Sequence, residues 1–455
     1  MPKSVFLNTS ELRDILTLSL PLIAGKVGDI LIGVTDTIML GRLGPDALGA
    51  AGLAFSVYRF ILMIGLGILF PTIILVSRAR GAGRSRAVPR IIRQGLWLSG
   101  ILFIPGAIVL WNLEGILLMA GQAPELVRMA GNYMDYFMWA MFPEFTFNVF
   151  IAAFIAMGRA GTLAIIIWFA AGLNATLNYL LIFGEFGFPA MGMAGAGLAS
   201  VIVFSTVHIT FFLLLAFHGS FRSTVVFRRA WRPNRAILGQ FFRLGWPEAF
   251  EMVMKNGSYL MAALFSGWFG VQVLAAHTIG YQIFIVISLV ILMPIADATI
   301  TRIGIVSARG KQANIWLTLN SGLLLFFLFM SIPIMVIESF SPWVVMAFVG
   351  SGPEIQALLP IATPLVVFVA FYSLIEGLCT IVEQALNGLK DMKVPALITV
   401  LAYWVIGLPS GVVFGFSMDL GVLGIWWGLG IGAAVAGMGC LIRFKWMTRN
   451  PLQLT

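Results

Sequence analysis

Charged residues are scarce in this sequence: they make up 10% of its 455 residues, whereas soluble domains carry about 25%. Hydrophobic residues make up 60%, and the mean hydropathy is +0.98. Because a spanning helix needs about 20 apolar residues, a chain of this length has room for about a dozen spans. The composition excludes a soluble globular domain with a single anchor and predicts an all-α polytopic membrane protein.

Cysteine and histidine are also rare, with two and three residues respectively. Cys379 and Cys440 lie in apolar segments, which indicates packing and not a disulfide framework or a metal site. The histidines lack metal-ligand spacing, and the sequence contains neither a P-loop (GxxxxGK[ST]) nor an HExxH motif. These absences argue against direct use of ATP and against an intramembrane enzyme, and we expect no cofactor.

Apolar runs separated by charge, glycine and proline predict twelve transmembrane helices. Pro71, Pro143 and Pro294 are predicted kink sites, because proline removes an intrahelical hydrogen bond. The predicted spans are 14–40, 47–77, 92–115, 126–157, 161–184, 193–217, 240–266, 273–306, 314–338, 355–387, 394–416 and 421–443.

The basic residues lie mainly in alternate connections and near the termini. The long central connection contains Arg222, Arg228 and Arg229, and Lys3 lies at the amino terminus. The positive-inside rule therefore predicts that both termini and this connection are cytoplasmic, in a cell (inner) membrane. Because this pattern accounts for the net charge of +9, the charge does not indicate a nucleic-acid partner.

The two halves of the chain contain matching positions in the same order. This predicts two pseudo-symmetric lobes of six helices in a parallel repeat, over 1–216 and 240–455, joined by a basic cytoplasmic linker at 217–239. Transporters of this kind bind substrate between the repeats. The matching pairs are Gly44 and Gly270, Leu48 and Leu274, and Ala50 and Ala276, all at an offset of 226, then Gly192 and Gly421, and Gly195 and Gly424.

One carboxylate, Asp36, lies inside the apolar run Ile30–Gly44. A carboxylate at mid-bilayer costs at least about 2.5–3.5 kcal/mol, so it usually faces a partner, an ion or water. Asp29 lies seven residues earlier on the same helical face. Lys26 is within pairing reach of Asp29, which leaves Asp36 as the functional candidate.

Asn174 and Asn178 are four residues apart and share a helical face. Their amides can bind a carboxylate, a water or an ion. An interhelical hydrogen bond that only holds two spans together explains them equally well.

In the second half, Glu251 and Lys255 lie one turn apart on the seventh predicted helix, so they can neutralise each other. Lys255 can instead pair with Glu376, which shares a face of the tenth helix with Glu383. Aromatic residues crowd Tyr133–Phe145, and a wet pocket with such walls suits lipophilic cations. Ordinary packing explains the aromatic residues as well.

Taken in order, a set of motifs resembles the multidrug and toxic compound extrusion (MATE) family, in its bacterial norfloxacin-efflux branch, over essentially the whole chain. The motifs are VTDTIMLGRLGPDALGAAGLA at Val34–Ala54, LNATLNYLLIFG at Leu173–Gly184, MGMAGAGLAS at Met191–Ser200, FRLGWP at Phe242–Pro247, AAHTIGYQI at Ala275–Ile283, LNGLKDM at Leu386–Met392 and YWVIGLPSGVVFG at Tyr403–Gly415.

The resemblance implies two six-helix lobes with a V-shaped central cleft. It further implies a monomeric antiporter in the bilayer that exports cationic or amphipathic organic compounds against entering H⁺ or Na⁺. Asp36, Asn174 and Asn178 match the family's N-lobe polar site. Glu376 stands where the branch has an acidic residue in the tenth helix, and Gln282 matches its amide position in the eighth.

One position departs from the branch. Eight residues after Pro247, where the branch usually has Glu, this sequence has Lys255. Either Glu251 takes over the role, or Lys255 is an internal cation that weakens a Na⁺ site near Glu376 and favours proton coupling through Asp36.

A flippase for a lipid-linked precursor, on a related fold, is the alternative function. Its anionic substrate would require a strongly cationic cavity, and here carboxylates outnumber the basic residues within the spans. A passive channel is compatible with the composition, but a duplicated cleft fits alternating access better.

Overall fold

A computed structural model of the protein describes residues 9–84, 86–217, 232–350 and 355–449, and these ranges contain no β-strand. Twelve long helices account for most of them, and shorter helical turns lie at Leu113–Met119 and Glu185–Gly187. The long helices are α1 (Thr9–Gly41), α2 (Pro45–Gly81), α3 (Val88–Trp111), α4 (Pro124–Ala156), α5 (Ala160–Phe183), α6 (Met193–Phe217), α7 (Arg235–Trp268), α8 (Val271–Ala308), α9 (Ala313–Val349), α10 (Ile355–Gly388), α11 (Lys393–Ser417) and α12 (Gly421–Arg449).

Eleven of these helices are long and apolar enough to cross a membrane. The exception is α7, which is 34 residues long but contains Glu248, Glu251 and Lys255. It coincides with the seventh predicted span. The all-α polytopic membrane fold predicted from composition is therefore confirmed.

The backbone repeats between the two halves at the predicted matching positions. Gly44 and Gly270 precede α2 and α8 with φ values of 119° and 113°. Gly192 and Gly421 have φ values of 56° and 55°. Because residues with a side chain rarely adopt these conformations, glycine is needed at both members of each pair.

Each of the three predicted kink prolines lies at an interruption of its helix. Pro71 starts the second part of α2 directly after Leu69 and Phe70. Pro143 follows a 3₁₀ turn at Met138–Ala140 in α4, and Pro294 follows a π-helical turn at Ser288–Leu292 in α8. In α9, the predicted end at 338 precedes a break at Phe340 (φ −130°), beyond which the helix continues to Val349.

Packing divides the chain into two compact units. The N-unit consists of Ala24–Ala249, and the C-unit consists of Met1–Ile23 together with Phe250–Thr455. This division cuts α1 and α7 well inside each helix, whereas the predicted boundaries at 216 and 240 fall in the last turn of α6 and the second turn of α7. The predicted linker arginines, Arg222, Arg228 and Arg229, lie outside the described residues, as does Lys3.

Local contacts explain where the division falls. The first turns of α1 belong to the C-unit because Glu11 and Asp14 bind Arg302 on α8, with oxygen to Nη2 distances of 2.9 and 2.7 Å. The first turns of α7 belong to the N-unit because Gly245 contacts α2: a Cβ there would lie 2.6 Å from Ile68 Cα. Hydropathy locates helix ends but does not indicate which neighbours each half of a helix contacts.

Candidate functional site

Asp36 lies in the N-unit beside the two asparagines of α5. Nδ2 of Asn174 and Nδ2 of Asn178 both donate to Asp36 Oδ1, at 3.0 and 2.5 Å. Both asparagines are buried, and Asp36 is half-buried. The structure therefore brings together the three residues that the resemblance assigns to one polar site.

Close packing of α1 against α5 sets this arrangement. Trp168 Nε1 on α5 donates to Ala24 O on α1 at 3.0 Å. A Cβ at Gly28 would lie 3.2 Å from the Ile167 side chain, so the small residue lets the helices approach closely. The two helices run parallel, because later residues of α1 contact later residues of α5. Asp36 lies three turns after Ala24 on α1, and it contacts Asn174 and Asn178, which follow Trp168 on α5.

The site contains one unused acceptor. Among the described residues, Asn178 Oδ1 is buried and accepts no hydrogen bond. Leaving a buried acceptor without a partner costs about 1–3 kcal/mol. The oxygen is therefore able to receive a proton-bearing group or to ligate a cation beside the Asp36 carboxylate.

Lys26 and Asp29 form the predicted ion pair one turn apart, with Nζ 3.2 Å from Oδ2. Their side chains are 33% and 46% exposed. An ion pair this exposed contributes at most about 1 kcal/mol. The hydrogen bonds from Asn174 and Asn178 to Asp36 do not involve this pair, so we interpret Lys26 and Asp29 as a local ion pair on α1.

A second carboxylate of the N-unit, Glu144 on α4, accepts a hydrogen bond from the Tyr58 hydroxyl of α2 at 2.6 Å. The Tyr58 ring also packs against Phe137, with ring centroids 4.5 Å apart, and Phe137 stacks on Tyr133 at 5.0 Å. Part of the aromatic segment Tyr133–Phe145 therefore lies beside a carboxylate. Sequence spacing offered no signal for the Tyr58–Glu144 contact, because 86 residues separate the partners.

The C-unit contains a polar site of its own, centred on Glu376 of α10. Its Oε1 forms an ion pair with Lys255 Nζ of α7, and its Oε2 accepts a hydrogen bond from the Tyr403 hydroxyl of α11. Thr380 Oγ1 lies 3.5 Å from Oε1. The Glu376 side chain is 2% exposed and that of Lys255 is 18% exposed. The charge of this carboxylate is thus compensated inside the unit.

Two more tyrosines extend the network. The hydroxyls of Tyr259 and Tyr372 are 2.7 Å apart, and those of Tyr372 and Tyr403 are 3.4 Å apart. Tyr259 lies four residues after Lys255, and Tyr372 lies four residues before Glu376, so each shares a face with its charged neighbour. That spacing is a signal in the sequence, but Glu251 and Thr380 share it, so it does not single out the tyrosines.

A π-helical turn at Ala402–Gly407 contains Tyr403. Such turns occur often at functional sites because they change the direction of side chains within a helix. The next residue, Trp404, donates from Nε1 to Met254 O at 3.0 Å. A Cβ at Gly257 would lie 3.1 Å from the Trp404 ring. These contacts hold α11 against α7 next to Lys255.

Of the two predicted partners for Lys255, the structure shows Glu376. Glu251 is buried one turn earlier on α7, and its carboxylate lies within 4.8 Å of that of Glu383, which is also buried. Gln282 lies on α8 with an exposed side chain. The transport roles of all these residues stay predictions.

A family model described as MatE matches residues 21–180 and 247–413. The two stretches start 226 residues apart, which is the offset that relates Gly44 to Gly270. The chain is 32% identical over 445 residues to a "Probable multidrug resistance protein NorM" of Mesorhizobium japonicum, covering 97% of this chain and 95% of the relative. A protein of the same description from Pseudomonas putida is 32% identical over 451 residues, covering 98% and 96%.

Solved structures show the same fold. A MOP superfamily transporter from Pyrococcus furiosus superposes with a TM-score of 0.87 at 20% identity, covering 97% of both chains. A crystal structure described as MATE in the bent conformation gives a TM-score of 0.86 at 20% identity, covering 98% of this chain and 99% of that chain. None of these descriptions names an enzymatic activity. The chain therefore belongs to the MatE family, the multidrug and toxic compound extrusion transporters that its motifs resemble.

Proposed function

We propose that the protein is a cation-coupled antiporter that exports cationic and amphipathic organic compounds from the cytoplasm by alternating access. It acts as a monomer in the inner membrane, with both termini cytoplasmic and no cofactor besides the coupling ion. The relatives named as multidrug resistance proteins support the substrate class. The observation that carries the proposal is the Asp36 carboxylate between two buried asparagines.

The Asp36 site is suited to exchange a proton. When Asp36 is ionised, its Oδ1 accepts from both asparagine amides. When it is protonated, its hydroxyl becomes a donor, and the unused Asn178 Oδ1 is an adjacent buried acceptor. Both protonation states can thus be hydrogen-bonded, so the site can bind and release a proton without a large penalty in either state.

Proton coupling is favoured over Na⁺ coupling because Lys255 already supplies the positive charge beside Glu376. A free Na⁺ would have to compete with an ammonium group tethered at the carboxylate. We therefore propose that the coupling ion is H⁺ and that it binds at Asp36. An organic cation would bind to carboxylate and aromatic side chains such as those of Glu144 and Tyr58.

Transport by purified protein in liposomes tests the proposal, with imposed pH or Na⁺ gradients and a fluorescent organic cation as substrate. We expect a pH gradient to drive transport and the Asp36→Asn variant to lose it. Asp29→Asn is the matched control, because it makes the same change seven residues earlier at a half-exposed ion pair, and it should keep most of the activity.

The outcomes separate the parts of the proposal. Transport driven by a Na⁺ gradient alone would overturn proton coupling. Unchanged transport in Asp36→Asn would remove the assignment of the coupling site. Efflux assays in cells lacking other pumps, with Lys255→Glu and Glu376→Gln, then measure how far the C-unit contributes.

A further inference from the structure

The ammonium group of Lys255 is surrounded by the kinds of side chain that bind alkylammonium ligands in proteins. Its Nζ contacts Glu376 Oε1 and lies 5.7 Å from the centroid of the Tyr403 ring. A carboxylate and an aromatic face are the two groups that attract alkylammonium ligands. Here the ammonium ion is supplied by the chain itself.

The groups around the lysine are held by contacts of their own. Tyr403 is fixed to Glu376 through its hydroxyl, and the hydroxyl chain continues to Tyr372 and Tyr259. Glu376, Tyr372 and Tyr403 are all buried. Removal of the Lys255 side chain would therefore leave a buried carboxylate beside an ordered aromatic ring.

We propose that this pocket of the C-unit is a binding site for a primary alkylammonium ion, occupied by Lys255 as an internal ligand. In the intact protein the site is filled, so the C-unit takes up no free cation there. When the lysine side chain is shortened, a small primary alkylammonium ion of matching length binds in its place.

The shape of the lysine defines the ligand class. Lys255 reaches Glu376 through an unbranched aliphatic stem that comes from α7. Replacement of Lys255 by alanine keeps Cβ and removes a chain that ends in a primary ammonium group, which n-propylammonium reproduces. A quaternary ammonium ion has no N–H to donate to the carboxylate, and a neutral alcohol has no charge, so neither should replace it.

This inference rests on the proposed export of cations. If Lys255 permanently occupies the site at Glu376, Asp36 remains as the carboxylate that exchanges the coupling ion. Its test is a binding measurement and does not depend on transport. A loss of coupling at Asp36 and a failure of ammonium binding in the C-unit are therefore distinguishable results.

The experiment measures the melting temperature of purified Lys255→Ala with increasing n-propylammonium chloride at constant ionic strength. Without ligand, the uncompensated buried Glu376 should lower the Tm by about 3–5 °C. n-Propylammonium should restore most of this loss with saturation, whereas tetramethylammonium, n-propanol and Na⁺ should restore little.

Two controls use the same ligands. Lys255→Ala/Glu376→Gln lacks the carboxylate and should show no saturable response. Lys26→Ala removes the lysine of the half-exposed pair with Asp29 and should not respond either. If Lys255→Ala alone does not fold, its purification in n-propylammonium, with loss of structure on dialysis, gives the same information.

The proposal is overturned if n-propylammonium stabilises the double variant as much as the single variant. It is also overturned if folded Lys255→Ala responds to no ammonium ion, or if Na⁺ restores more stability than n-propylammonium. A saturable response confined to Lys255→Ala supports it.

Discussion

Replacement of Arg302 by glutamine should loosen the first turns of α1 from the C-unit. Arg302 Nη2 lies 2.9 Å from both Glu11 oxygens, and its Nε lies 3.2 Å from Oε2. The same Nη2 lies 2.7 Å from Asp14 Oδ2. The two acidic partners differ in exposure, since the Glu11 side chain is 8% exposed and that of Asp14 is 48% exposed.

The magnitude follows from that difference in exposure. Breaking a buried ion pair costs about 3–5 kcal/mol because a charge stays buried without its partner. Among the side chains of the described residues, Thr318 would then remain as the hydrogen-bond donor to Glu11, at 3.4 Å. An exposed pair such as that with Asp14 is worth at most about 1 kcal/mol. With an unfolding entropy of about 2.1 cal/mol/K per residue, a chain of this length loses about 1 °C of Tm per kcal/mol. We therefore expect a decrease of about 3–5 °C for Arg302→Gln and of about 1 °C or less for Asp14→Asn.

The chain has a built-in reporter for this measurement. Cys379 and Cys440 are free and fully buried in the C-unit, so a thiol-reactive dye becomes fluorescent as that unit unfolds. Glu11→Gln/Arg302→Met removes both charges and should melt above Arg302→Gln, because no buried charge is left uncompensated. The reasoning is refuted if Arg302→Gln melts like the unchanged protein, or if Asp14→Asn costs as much.

Two further predictions concern the N-unit. A Cβ at Gly67 would lie 2.6 Å from the Ala249 nitrogen, so Gly67→Ala should destabilise the protein by about 1–3 kcal/mol, measured as a lower Tm. Gly52→Ala is the matched control on the same helix, since a Cβ there meets nothing within 4 Å, and it should leave the Tm unchanged or slightly raised. Tyr58→Phe removes the hydrogen bond to Glu144 and should cost about 1–3 kcal/mol, with weaker binding of an organic cation if this carboxylate contacts substrate. An unchanged Tm in Tyr58→Phe would show that the hydrogen bond does not stabilise the fold.

The separate parts of the Asp36 site could be anticipated from local pattern, but their contact joins residues 138 and 142 positions apart and was implied only by the family resemblance. A carboxylate in an apolar run requires partners, and Asn174 and Asn178 share one face of a helix. The partner of Lys255 could not be chosen in the same way. Spacing along α7 offered Glu251, but the structure pairs the lysine with Glu376 on α10, and that choice depends on how three helices pack.

The helices and their kinks follow from hydropathy and proline, which are properties of short segments. The division into units does not, because it cuts α1 and α7 within continuous helices. The contacts that decide it, such as Arg302 with Glu11 and Gly245 with Ile68, join residues far apart in sequence. A single sequence provides no signal for such pairs.

Comparison of the two repeats shows which feature the polar sites of the two units have in common. The offset of 229 that relates Gly192 to Gly421 also relates Asn174 to Tyr403. Both residues donate a hydrogen bond to the carboxylate of their own unit, Asn174 to Asp36 and Tyr403 to Glu376. The fifth helix of each repeat thus supplies the donor.

The counter-charge is where the units differ. At the offset of 226, Ala262 stands opposite Asp36 and Lys255 stands opposite Asp29. Ala262 is fully buried. At these two positions the first helix of the second repeat therefore has an ammonium group and an apolar side chain, whereas the first repeat has two carboxylates. The acidic group of the C-unit then lies on α10, held by a cation that is part of the chain. Because a tethered cation is not exported or released, our proposal leaves the exchange of a mobile ion to Asp36 and predicts that one coupling ion is bound per protein.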